Sequence, residues 1–215
     1  MILQLLAAVN LIFSVSKDGP ATVTGDHKLK SCSDWKLDRY SEGVKTYSRW
    51  IELEGSDKVR ERKGETVINC SVEDVVKILC DSKSTELWMT GIKENYCLKT
   101  ISPSEWYAYT LFDIPWPFEK RDLISDYSLD YREDGKTVII RIKSREDFMP
   151  EKLHITRLTK YTATWIISRT ATDRATVTFT AIANTRPIFP RFVQDPILVQ
   201  LFHNNLVNLK KMLDS

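Results

Sequence analysis

A chain of 215 residues, 42% apolar and 28% charged, can build one sizeable core and has the composition of an ordinary globular domain. Its formal charge of +2 gives no reason for a nucleic-acid partner: basic residues alternate with acidic ones, as in Lys58-Val59-Arg60-Glu61-Arg62-Lys63-Gly64-Glu65, which reads as a solvated strand face. GxSxG, P-loop and GxGxxG patterns do not occur, and His27, His154 and His203 lie too far apart for metal-ligand spacing, so neither metal nor cofactor is expected.

In chain order, Ile2 to Phe13 is nearly all apolar, interrupted by Gln4 and Asn10, and is too short to span a bilayer. Ser14-Val15-Ser16 supplies the small residues a signal peptidase reads, although the segment before it has no Lys or Arg. The expectation is a signal peptide over residues 1–16 and an exported protein, periplasmic or secreted. The alternative is an uncleaved N-terminal helix and a cytoplasmic protein. Residues 17–30, with Gly19-Pro20 and Gly25, read as a linker, and 31–215 as one domain. Cys32, Cys70, Cys80 and Cys97 fit no zinc pattern; they read as small buried hydrophobes, or as one disulfide if the chain is exported.

Trp35–Ser41 and Val44–Leu53 are strand candidates joined at Glu42-Gly43, and Val59–Asn69 is a third, bent at Gly64. The period then changes. Ser71 can cap a helix whose Val72, Val75, Val76 and Leu79 fall at i, i+3, i+4 and i+7. A second short helix is expected over Ser84–Thr90, closed by Gly91. Strand period returns in Ile92–Ile101, Glu105–Phe112, Arg121–Tyr131 and Thr137–Ser144, then in Tyr161–Ser168 and Ala175–Ala183, with Arg145–Leu153 as loop. The last segment is a long helix with two competing starts, Pro190 or Pro196, and a stripe of Leu198, Leu201, Phe202, Leu206, Leu209 and Leu213. Three strands, two short helices, six strands and a long amphipathic helix make an α+β helix-grip arrangement, in which a curved antiparallel sheet wraps the last helix.

Catalytic chemistry is not visible. Glu61, Glu65, Asp126, Asp130 and Glu133 sit in solvated patterns, and no nucleophile stands beside a base. What stands out is an aromatic and aliphatic surplus on strand faces: Tyr96; Trp106, Ala108, Thr110 and Phe112; Tyr127; Ile140 and Ile142; Trp165; and Phe179. Phe192 and Phe202 join them from the last helix. Glu94 beside Tyr96 and Ser125 beside Tyr127 mix polar with large apolar groups, which fits a cavity with a mouth better than a dry core.

The most specific stretch is Pro115-Trp116-Pro117, three residues, then Arg121-Asp122-Leu123. It resembles the PWPxxxRD signature of START domains, the lipid-transfer domains related to the steroidogenic acute regulatory protein. Ser71-Val72-Glu73-Asp74-Val75 with Leu79-Cys80-Asp81, Trp88 and Pro190 are similar to further positions of that family. Met89-Thr90 and Asn184-Thr185-Arg186-Pro187 depart from its pattern. The resemblance, to a bacterial-type member, implies a helix-grip fold around a tunnel for one lipid or sterol-like ligand, without catalysis. It also implies a lid made of Pro115, Trp116, Pro117 and Phe118 with the last helix; a monomer is expected, with room for transient membrane contact. Arg121 and Asp122 carry over as the signature pair, touching ligand or bridged to each other at the strand start. The competing reading is an enzyme of the wider superfamily, such as a polyketide aromatase/cyclase, which requires Glu94, Asp126 or His203 to point into the cavity. A filled interaction module, the third reading, has no cavity.

Overall fold

The structure, a computed structural model, describes residues 30–53, 58–113, 120–183 and 190–215. The segment read as signal peptide, the linker apart from its last residue Lys30, the Pro115-to-Phe118 lid and the Asn184-to-Pro187 departure lie outside them. Strands β1 (Lys30–Ser31), β2 (Lys36–Ser41), β3 (Val44–Glu52) and β4 (Lys58–Ile68) are followed by helices α1 (Val72–Cys80) and α2 (Ser82–Trp88). Then come β5 (Ile92–Ser102), β6 (Glu105–Phe112), β7 (Lys120–Tyr131), β8 (Thr137–Ser144), β9 (Ile155–Arg157), β10 (Tyr161–Ala171), β11 (Arg174–Ala183) and α3 (Arg191–Leu213). The eleven strands form one curved sheet in the order β1-β3-β4-β11-β10-β8-β7-β6-β5, with β2 on β3 and β9 on β7. All pairs are antiparallel except β7–β9. The α+β helix-grip expectation holds.

Local sequence explains most elements. Glu42 and Gly43, both at positive φ, turn β2 into β3, the geometry that matches strand twist. In α1 the Ser71 hydroxyl accepts the Asp74 N–H at 3.1 Å, and the buried residues are the four of the stripe, Val72, Val75, Val76 and Leu79. Each such side chain gains roughly 1.5–3 kcal/mol from burial. Helix α2 starts two residues before the expected Ser84, because Asp81 caps it and accepts the N–H of Lys83 and of Ser84, each at 3.2 Å. It ends at a Met89 cap, so Gly91, at φ 90°, lies beyond the closing position expected of it.

Gly64 is not a bend. Both ladders of β4 run through it without a shift, to Thr46 on one side and Phe179 on the other. Its lack of a side chain serves packing: a Cβ there would lie 2.0 Å from Leu206 Cδ1 of α3. The helix rests on the sheet at this glycine.

Helix α3 starts from the earlier site, with Pro190 as its N-cap rather than its first helical residue, and Pro196 inside it. A proline there removes the bond to the Phe192 carbonyl. Neighbouring tertiary contacts hold the turn: Asp195 pairs with Arg60 at 3.1 Å, and Gln194 is buried.

Strand β9 was not expected. It takes up the edge of β7 at Lys120–Asp122, where β8 has ended. With the segment after Arg145 it covers the outer face of β6 and β7, where Tyr109, Leu111 and Ile124 form a second core beneath Phe148, Met149 and Ile155. The fastening is Arg157, whose guanidinium donates to both oxygens of Asp122, at 2.6 and 3.0 Å, and to the carbonyls of Met149 and Pro150. Both partners are buried. The signature pair is therefore split. Asp122 faces outward to Arg157, and Arg121, buried, faces inward at the Phe112 register; no Arg121–Asp122 bridge fixes the strand start.

The solvated reading fails for two of the β4 charges, while Lys58 stays exposed and Glu65 partly so. Glu61 and Arg62 are buried; Glu61 accepts Arg49 Nε at 2.6 Å on the outer face. Asp126 pairs with Arg145 at 2.6 Å and Asp130 with Arg141 at 3.4 Å, both at the surface. All four thiols are free. Cys32 and Cys97 are exposed rather than buried, and burial pushes the Cys80 thiol up to about 11.

Candidate ligand cavity

Alternation on the strands points one set of side chains at α3, and these enclose a cavity of about 90 Å³. Its floor is built by cross-strand partners. Trp165 and Phe179 pair across β10 and β11 and stack at 4.0 Å; Ile140 pairs with Trp165, and Ile142 with Tyr127. Phe202 of α3 continues the stack on Phe179 at 5.5 Å, and Trp88 of α2 meets Trp165 edge-on at 6.0 Å. Thr110, Phe112 and Leu123 close the β6–β7 side; Leu201 and Leu206 descend from the helix.

Thr110, Phe112, Tyr127, Ile140, Ile142, Trp165, Phe179 and Phe202 thus meet in the wall, as the sequence suggested. Trp106 and Ala108 share the inward face of β6 but are not wall residues; Trp106 stacks on Tyr127 at 5.0 Å. Arg121 is likewise absent from the wall. Tyr96 is a miss: it is 40% exposed and packs on Tyr109 of the outer core. The register of β5 against β6 shifts between Ile92 and Glu94, and again further on, so simple alternation assigns the wrong face. Its neighbour Asn95 lines the cavity instead, accepting the Thr110 hydroxyl at 2.9 Å and donating to the Ser82 carbonyl at 3.0 Å. Phe192 is a second miss, at 81% exposure on the first turn of α3.

Polar groups in the wall are few. Asn205 accepts the Thr90 N–H at 3.2 Å. Tyr127 and Tyr161 contribute phenols whose hydroxyls bond to no described residue. Burial pushes Tyr127 up to about 12 and raises Tyr161 further, so both stay protonated near neutrality and can donate as well as accept. Glu94, Asp126 and His203 do not line the cavity. His203, buried on α3, meets the Ser41 hydroxyl at 2.7 Å, and burial lowers its pKa. Among the described residues no group of three or more potential ligands could hold a metal ion, and no helix is long and apolar enough to cross a membrane.

An antiparallel sheet gripping a C-terminal helix over an aromatic-lined cavity defines the helix-grip class. The fold is START-like. It superposes on a STAR-related lipid transfer protein from Xanthomonas axonopodis with TM-score 0.73 and 27% identity, over 84% of this chain and 99% of that one. Human STARD10 gives TM-score 0.69 at 17% identity, over 82% of this chain and 71% of that one. By sequence, an uncharacterised protein of Pseudomonas aeruginosa is 27% identical over 82% of this chain and 85% of its own length. No family model matches.

Proposed function

We propose that the protein binds a lipid or other hydrophobic small molecule between the concave sheet face and α3, and carries or senses it without chemical change. The observation that carries this reading is the wall itself: aromatic and aliphatic side chains with hydroxyls and amides, and no carboxylate, imidazole or cation among the described wall residues. Such a surface gains about 0.8 kcal/mol per CH₂ it removes from water. The START-like fold supports the same reading through the Xanthomonas protein, whose name includes lipid transfer. An aromatase/cyclase would need an acid or base facing the cavity, and Glu94, Asp126 and His203 face elsewhere.

The space available sets a condition. At about 90 Å³ the cavity is smaller than one of roughly 150 Å³ that holds a benzene. A lipid therefore enters only as the wall parts, and α2 and α3, which supply Trp88, Met89, Leu201 and Phe202, are the movable side against a hydrogen-bonded sheet. Native mass spectrometry of the purified protein is expected to show a co-purifying hydrophobic species. A protein that carries none, and that takes up none from a lipid extract or a solvatochromic probe, refutes the reading.

A further inference from the structure

The concave face holds a charged group that the cavity described above does not use. Arg62 of β4 is 8% exposed, yet it makes no hydrogen bond or ion pair with any residue of the protein described here. Its orientation is fixed by the sheet. It lies two residues before Gly64, whose Cβ direction meets Leu206 of α3, so both face the helix. Direct pairing lays Arg62, Ala181, Ala163, Ile142 and Tyr127 in one row across β4, β11, β10, β8 and β7. The far end of that row, Ile142 and Tyr127, is cavity wall. Only two alanine methyls separate it from the guanidinium. At 4.7–4.9 Å per strand, the step from Arg62 to Tyr127 is roughly 19 Å, the reach of an extended long-chain lipid.

The surroundings of Arg62 are short of negative charge. Arg60 and Arg191 raise the local potential, while Asp195 and Asp38 lower it. Asp195 is itself held by Arg60 at 3.1 Å, and Asp38 accepts the Ser48 hydroxyl at 3.0 Å. Arg60 keeps a buried Nε with no partner in the described residues. Burial outweighs the nearby carboxylates and lowers the Arg62 pKa to about 10, so the cation is destabilised where it stands. A largely buried guanidinium that no described residue bonds is costly, and an oxyanion that accepts two of its N–H groups offsets that cost.

We propose that Arg62, with Arg60 beside it, is the headgroup subsite of this cavity, receiving the carboxylate or phosphate of an anionic single-chain lipid whose tail runs over Ala181 and Ala163 into the aromatic pocket. The proposal rests on the lipid-binding reading and narrows it to anionic ligands.

The test uses three ligands with one chain and different heads, hexadecanoate, hexadecyl phosphate and hexadecanol, each displacing a solvatochromic probe from the full-length protein near neutral pH. Inorganic phosphate alone is the fourth arm. The wild type should bind an anionic head at least about thirtyfold tighter than the alcohol. Arg62→Met should abolish that preference and leave hexadecanol affinity unchanged. It should also fold as well as the wild type, because it removes an unpaired buried charge. Arg62→Lys, which keeps the charge but not the fork, should retain part of the preference. Hexadecanol bound as tightly as the anions by the wild type overturns the proposal and leaves lipid binding standing. A preference that survives Arg62→Met overturns it equally, and so does inorganic phosphate competing with the anionic lipids at comparable concentration, which would mark a site for the free ion. Failure of all three chains to bind removes both the proposal and the reading beneath it.

Discussion

Gly64→Ala tests how closely α3 is seated on the sheet. The added Cβ would stand 2.0 Å from Leu206 Cδ1, 3.2 Å from Phe202 Cε1 and 3.4 Å from Leu206 Cγ. A carbon pair is at its optimum near 3.5–4.0 Å, so Leu206 has to withdraw by more than an ångström. It cannot do so freely, because it is buried in the main core cluster with Phe202, Val207 and Leu209. The expected cost is that of overpacking, about 1–3 kcal/mol, or roughly 2–4 °C in Tm per kcal/mol for a domain of this size. Backbone strain contributes nothing, since Gly64 is not among the positive-φ glycines. The assay is a double-mutant cycle by urea denaturation. Leu206→Ala alone leaves a cavity and should cost about 2–5 kcal/mol. In Gly64→Ala/Leu206→Ala the new methyl occupies vacated space, so the double variant should be more stable than the sum of the singles by about 1–3 kcal/mol. Additivity within about 0.5 kcal/mol would refute the reasoning and mean that the helix does not rest on Gly64.

Three further outcomes follow from the geometry. Arg157→Met leaves the buried Asp122 carboxylate without its guanidinium and should cost about 3–5 kcal/mol in urea unfolding, whereas Arg157→Met/Asp122→Leu should recover much of it; equal losses in the two variants would contradict a buried pair. Burial, with Arg39 adding to it and Glu42 opposing, holds His203 below its usual 6.5. The unfolded chain therefore takes the proton first: stability is full above about pH 6.5 and falls as pH drops below it, and His203→Gln should flatten that fall, measured as urea midpoints at several pH values. Ser71→Ala removes the cap on the Asp74 N–H and should cost about 1 kcal/mol, with an unchanged melting curve arguing that α1 is held by packing alone.

What the sequence made legible was what neighbouring residues decide. The α1 stripe appears in full because its 3.6-residue period and its Ser71 cap are local properties. The walls from β7, β8, β10 and β11 were legible because their pairing with one another runs in unbroken register across the cavity, so alternation along the chain maps onto faces of the sheet. Tyr96 was misplaced where that mapping fails, on a strand with three register shifts against its neighbour. The start of α3 was ambiguous because an interior proline argues against a helix, and the Arg60–Asp195 pair that holds the turn joins residues 135 apart.

Arg62 shows the limit most clearly. In sequence it belongs to a run of alternating charge, and such runs are usually wet. The run alternates at the strand period, however, so it places one set, Glu61, Lys63 and Glu65, on one face and Arg60, Arg62 and Gly64 on the other. Gly64 is the only member of either set whose side of the sheet the chemistry fixes, because only a glycine admits Leu206. Once the glycine is assigned to the helix side, both arginines follow it under the helix and the acidic residues go outward, where Glu61 finds Arg49. A strand that sends two arginines inward and both carboxylates outward does not minimise its own electrostatic energy. Among the described residues the inward charge is offset by Asp195 and Asp38, each already bonded to another group. An anion brought by a ligand supplies the counter-charge there, and in that respect the electrostatics of the concave face carry information about the ligand proposed for it.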